Sequence, residues 1–228
     1  MENKPGKLEL IRPAITITLI VILLMLIASA FAWQKLPDDV RIPVHWNVAG
    51  QPDRYGGKFM GLMLMPLVTL VMVIVMLVAP AIEPRQQNIQ SSRKAYNMIL
   101  SAIVLLMAFL HFIILMAALG EPVNVMKGVC LGIGLVFILI GNYSGKIRSN
   151  FMLGVKTPWT LSSELSWHKT HRLAGRLFIL LGAIIGLSGL TLPGMAVFII
   201  LLAGVIGLVA MIMVYSYIVW KKDPQKKS

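Results

Sequence analysis

The chain has 228 residues, of which 57% are hydrophobic and 13% charged, and it carries a formal net charge of +12 at pH 7. A mean hydropathy of +0.81 excludes an ordinary water-soluble domain, and a single cysteine, Cys130, excludes an intramolecular disulfide. The cations invite a nucleic-acid reading, but they flank apolar runs, where anionic lipid headgroups attract them, so anionic lipids are the expected partner and nucleic acid is not.

The apolar runs lie near the roughly 20 residues that a helix needs to cross about 30 Å of hydrocarbon. The expected fold is an all-α membrane protein, a bundle of about six transmembrane helices. Pro13 to Trp33 forms the first span and Phe59 to Ile82 the second; neither contains a charged residue. The third lies between Ala95 and Gly120, with His111 as its one ionisable side chain, and the fourth runs from Val123 to Tyr143. Leu177 to Trp220 is 44 uncharged residues long, too long for one helix, and Leu192-Pro193-Gly194 supplies a turn near its middle. It reads as a helical hairpin.

Lys4, Lys7 and Arg12 before the first span, and Ala28-Ser29-Ala30 near its end, resemble a cleavable signal peptide. The apolar run exceeds a signal core, and five spans follow, so a retained helix is the better reading. Lysine and arginine counts set the orientation. The N-terminal tail, the loops after spans two and four, and the C-terminal tail hold sixteen, against five on the other side, Lys127 included. Both termini are therefore expected in the cytoplasm.

Two connections are long enough to carry recognition: residues 34–58 outside and 144–176 inside. They divide the chain into a two-span unit, 1–83, and a four-span unit, 84–228. In the outer loop, Val40, Ile42 and Val44 alternate with Arg41 and Pro43 as a short extended segment, and residues 47–50 and 51–53 read as turns. His45, Asp38, Asp39 and Asp53 have metal-ligating chemistry but match no zinc spacing, and Trp46 and Tyr55 suit an interfacial aromatic belt. Glu121 and Lys127 can pair across the third-to-fourth turn.

In the inner loop, Thr160 or a neighbouring hydroxyl can cap a helix that begins near Glu164 and runs into span five. On it Glu164, His168 and His171 share a face at spacings of four and three, suitable for a metal. Lys169, Arg172 and Arg176 follow closely, so a solvated or headgroup-facing surface is the better reading, and no metal or cofactor is assigned. His111, an ionisable group inside the membrane, is either a functional site or a hydrogen-bonded histidine of the bundle. Gly57 with Gly61, Gly128 with Gly132 and Gly182 with Gly186 have the small-xxx-small spacing of close helix packing. No nucleophile-elbow, phosphate-loop or zinc-protease signature is present, which argues against an enzyme.

The inner stretch Gly154-Val155-Lys156-Thr157-Pro158-Trp159-Thr160-Leu161, with Gly141-Asn142, Asn150, Glu164 and Trp167, resembles the signature of the SdpI family of bacterial immunity and signalling membrane proteins. Leu36-Pro37-Asp38 and Ile42-Pro43-x-His45-Trp46-Asn47 resemble the short domain of unknown function common at the start of such proteins. Lys156 departs from the arginine expected there; it keeps the charge and loses the planar fork. The resemblance implies a multi-pass protein of the bacterial cell membrane that protects against a secreted antimicrobial peptide toxin and signals by holding an ArsR-type repressor at the membrane. It implies His45, Trp46, Asn47 and Asp53 as the toxin-facing set. It implies Asn142, Asn150, Lys156, Thr157, Pro158, Trp159, Glu164, His168 and Arg172 as the inner docking or structural set. A small-molecule or lipid transporter, with His111 and a broken helix lined by Asn142, and a membrane-embedded metalloenzyme are the rival readings.

Overall fold

The computed structural model describes residues 7–226, with side chains from residue 13 onward. Lys4 and Lys227, both counted in the inner charge, lie outside the described residues. The elements run α1 (Lys7–Lys35), β1 (Ile42–Trp46), β2 (Pro52–Gly56), α2 (Lys58–Val78), α3 (Gln86–Ser91), α4 (Arg93–Ala118), α5 (Val125–Ser144), α6 (Pro158–Ser162), α7 (Glu164–Thr191) and α8 (Gly194–Lys221). Six of these helices, α1, α2, α4, α5, α7 and α8, are long and apolar enough to cross a membrane. The hairpin turn falls at Leu192 and Pro193, between α7 and α8, where the sequence places it.

Helix α4 packs on α1, α2 and α5; α5 packs on α7, and α7 on α8. In lipid there is little hydrophobic drive between helices, so close approach depends on small residues. The α5–α7 pair shows this along its whole length. A Cβ at Gly141 would fall 2.5 Å from the Gly175 carbonyl oxygen, one at Gly182 would fall 2.5 Å from that of Gly134, and one at Gly189 would overlap Cys130. The antiparallel helices thus meet backbone to backbone, and Cys130, 5% exposed, is a packing residue. Of the expected glycine pairs, Gly128 and Gly132 admit Ile113 and Leu106 of α4, while Gly61 admits Ile42. Gly57 faces open space, so the pair 57/61 is not a helix contact.

The first half is tied by hydrogen bonds as well, within two or three turns of the hairpin-side ends of α1, α2 and α4. The Ser29 hydroxyl of α1 donates to the Leu62 carbonyl of α2 at 2.7 Å and lies 3.0 Å from His111 Nε2 of α4. Because the single hydroxyl proton is used on Leu62, Nε2–H is the donor to Ser29 Oγ. His111 is 1% exposed and joins three helices.

Outside, β1 and β2 form an antiparallel hairpin, with β2 beginning inside the turn read from sequence at 51–53. Its stem is plugged into the bundle by Ile42, fully buried with Ala32, Leu62 and Leu115. The expected Glu121–Lys127 ion pair does not form among the described residues; Asn124 instead caps α5 by accepting from the Lys127 backbone N–H at 3.0 Å.

Candidate functional site

The inner loop is a folded knot built on buried polar groups. Asn150 is fully buried; its Oδ1 accepts from the Met152 and Leu153 backbone N–H groups at 2.8 and 2.7 Å, and its Nδ2 donates to the Arg148 carbonyl at 2.7 Å. The chain then turns through Gly154, whose φ of +106° strains any other residue. It passes over α7, where the Val155 backbone N–H donates to His171 Nε2 at 2.9 Å. That bond makes Nε2 an acceptor, so His171 is neutral and donates Nδ1–H to the Trp167 carbonyl at 2.8 Å. The ring stacks on Trp167 with centroids 4.0 Å apart, and the indole N–H donates to the Ile147 carbonyl at 2.7 Å.

Next comes α6, started by a reciprocal cap: Thr157 Oγ1 accepts from the Thr160 backbone N–H, and Thr160 Oγ1 accepts from that of Thr157. Pro158 occupies the first helical position, where its missing N–H costs nothing. Ser163 then caps α7 by accepting from the Ser166 backbone N–H, so the neighbouring hydroxyl, and not Thr160, starts the span-five helix. Lys156 Nζ donates to the Phe151 and Met152 carbonyls at 3.1 and 3.4 Å. Carbonyl oxygens take the charge here, which a single ammonium satisfies without the arginine fork.

Two other segments clamp this knot. From the connection after α2, Glu83 is 1% exposed and accepts from the Phe151 backbone N–H at 3.0 Å and the Arg85 N–H at 2.9 Å. Arg85 donates to the Ser149 hydroxyl and to the Leu161 carbonyl, and covers the Phe151 ring. Asn88 and Ser92 add bonds to the backbone of Ser149 and Arg148. From the end of α8, Ser216 meets Thr157 and Ser166, Trp159 packs edge-on against Tyr217, and Ser163 donates to Asp223 at 2.5 Å. The knot thus fastens both halves of the bundle at one end.

The hydroxyl of Ser163, then the backbone N–H of Gln225, then the charge of Lys226 hold the Asp223 carboxyl below its ordinary value of 3.8. A depressed carboxylate stabilises the fold above its unfolded pKa, and that contribution is lost as pH falls through the folded pKa. The thermal midpoints of wild type and Asp223→Asn should therefore differ at about pH 7 and converge only as the pH falls through the folded pKa, below 3.8. A gap that persists in acid contradicts the assignment.

Of the expected inner residues, Asn150, Lys156, Thr157, Pro158 and Trp159 belong to the knot. Glu164 and His168 face each other at 3.6 Å, and Arg148 lies 3.3 Å from His168 Nε2. His171 does not join them at the surface: the loop folds over its part of the helix face and buries it completely. Among the described residues no three His, Cys, Asp or Glu side chains gather for a metal. Asn142 is exposed on an unbroken α5, and Arg172 is exposed on α7. Glu83, Arg85, Trp167's stacking on His171, Ser216 and Asp223 are the residues sequence reasoning missed.

The outer set is a second, smaller site. His45 Nδ1 lies 2.5 Å from Asp53 Oδ1 across the hairpin, with both side chains exposed. Asn47 Oδ1 accepts from the Ala49 and Gln51 backbone N–H groups at 3.0 Å, and Gly50 closes the turn at φ +77°. Trp46 is half-buried. The turn reaches the second half of the bundle: a Cβ at Gly194 would lie 1.8 Å from the Val48 carbonyl oxygen, and one at Gly50 would lie 3.3 Å from Met126. At the hairpin base Lys58 pairs with Asp38 at 2.8 Å, and that hydrogen bond, then the lysine charge, lowers the Asp38 pKa from 3.8.

Residues 146–216, which contain the inner loop, α6, α7 and most of α8, match the SdpI/YfhL protein family, and residues 20–70 match a domain of unknown function, DUF1648. The chain is 29% identical over 169 residues to a protein named Immunity protein SdpI from Bacillus subtilis (strain 168), covering 74% of this chain and 78% of that protein. No solved structure matches it significantly.

Proposed function

From the premise that this six-span bacterial membrane protein belongs with the SdpI/YfhL family, we propose that it is an immunity protein protecting the cell from a secreted antimicrobial peptide toxin. The observation that carries the reading is the identity to Immunity protein SdpI across most of both chains. The hairpin with His45, Trp46, Asn47 and Asp53 is the toxin-facing element, and the knot with Lys156, Thr157, Trp159, Glu164 and His168 is the cytoplasmic element, available to an ArsR-type repressor. The sixteen-to-five cation bias supports that orientation, with both termini inside.

Two features suit these roles. His45 and Asp53 present a polar, hydrogen-bonding pair beside the half-buried Trp46, a mixed apolar and polar surface at membrane level. On the inner face the ordered knot offers exposed Glu164 and partly exposed His168 on a rigid base. The reading predicts that alanine at both His45 and Trp46 lowers survival under peptide challenge at least ten-fold while insertion is unchanged. Undiminished survival of that variant sinks the outer assignment.

A further inference from the structure

Two sets of inner-face cations differ in their partners. Arg85, Arg148 and Lys156 are committed to protein partners within and around the knot. Lys169, Arg172 and Arg176 are not. They lie at spacings of three and four on α7 and line, with Leu173 and with Tyr215 of α8, a cleft of about 270 Å³. All three are exposed, and among the described residues none of them has an ion-pair partner.

Helix geometry gives the depth of this cleft. Tyr215 is about 31 Å along α8 from Gly194, and Arg172 is about 29 Å along α7 from Thr191, at 1.5 Å per residue. Both distances equal the thickness of a hydrocarbon core, so with the α7–α8 turn at one surface the cleft lies at the headgroup level of the other. Arg176, one turn deeper, reaches the same level by extending its side chain, and Lys169 stands one turn above it. Three cations and a phenol therefore ring one point at phosphate depth, beside the apolar flank of α7 with Ile179 and Leu180 exposed.

We propose that this cleft is a specific binding site for an anionic phospholipid: Lys169, Arg172 and Arg176 hold its phosphodiester, Tyr215 donates to it, and an acyl chain lies along α7. Guanidinium pairs suit the bidentate phosphate geometry. The site is independent of the immunity reading and stands or falls on lipid retention alone.

The test is native mass spectrometry of the full chain released from vesicles containing equal phosphatidylglycerol and phosphatidylcholine. Wild type should retain phosphatidylglycerol selectively, and inorganic phosphate should not displace it. With about five-fold for each basic residue at an anionic surface, the double variant Arg172→Gln/Arg176→Gln should retain about 25-fold less. Lys35→Gln, on the opposite side, should retain as much as wild type. Equal retention by the double variant, an equal loss in Lys35→Gln, or displacement by phosphate overturns the proposal. If the double variant fails to fold, a photoreactive phosphatidylglycerol on wild type decides: labelling of 169–176 and Tyr215 supports the site, and labelling spread over all helices overturns it.

Discussion

Trp167→Ala should lower the stability of the protein by about 3–5 kcal/mol, the usual loss for a large buried aromatic, and should cut the yield of folded protein severalfold. The indole is fully buried, stacks on His171 and donates to the Ile147 carbonyl, so its removal opens a cavity and strands a buried acceptor. It also frees the loop that carries Val155 across α7. Lys156→Ala, which removes an ammonium bound to two carbonyls near the surface, should cost no more than about 1 kcal/mol. Thermal unfolding in detergent, followed by aggregation onset, separates the two; equal midpoints would mean that the knot is not what holds this end together.

Gly175→Val should be the second severe change, because it acts on a helix contact made backbone to backbone. A Cβ there lies 2.5 Å from the Gly141 carbonyl oxygen, and backbone cannot move aside as a flexible side chain can. Overpacking typically costs about 1–3 kcal/mol, and a β-branched residue between two backbones belongs at the upper end. The same substitution at Gly207, where a Cβ meets nothing within 4 Å, should be tolerated. Comparing yields and thermal midpoints of the two valine variants checks this; a stable Gly175→Val would contradict the backbone-to-backbone packing of α5 and α7.

The spans were legible because their signal is local and strong: long uncharged runs, with Leu192-Pro193-Gly194 breaking the longest. The hairpin was half legible. Ile42 and its alternating neighbours showed β1, whereas Pro52-Asp53-Arg54-Tyr55 has no buried position to set a period, and β2 is held by pairing with β1. His171 falls on the same helical face as Glu164 and His168, but periodicity cannot see a loop folding over one turn of that face. Glu83 and Asp223 were missed for the same reason, since their partners lie 68 and 60 residues away. Composition did hold a hint. The sequence has nine acids against 21 lysines and arginines, and two of the few inner ones are spent fastening segments to the knot.

Survival of a toxin-sensitive bacterium expressing the intact chain, challenged with the secretions of a peptide-toxin producer, tests the immunity reading most directly. Protection is predicted for wild type and its loss for His45→Ala/Trp46→Ala, with both proteins inserted equally in the membrane. Membrane-inserted wild type that leaves the cells as sensitive as an empty-vector control would contradict it.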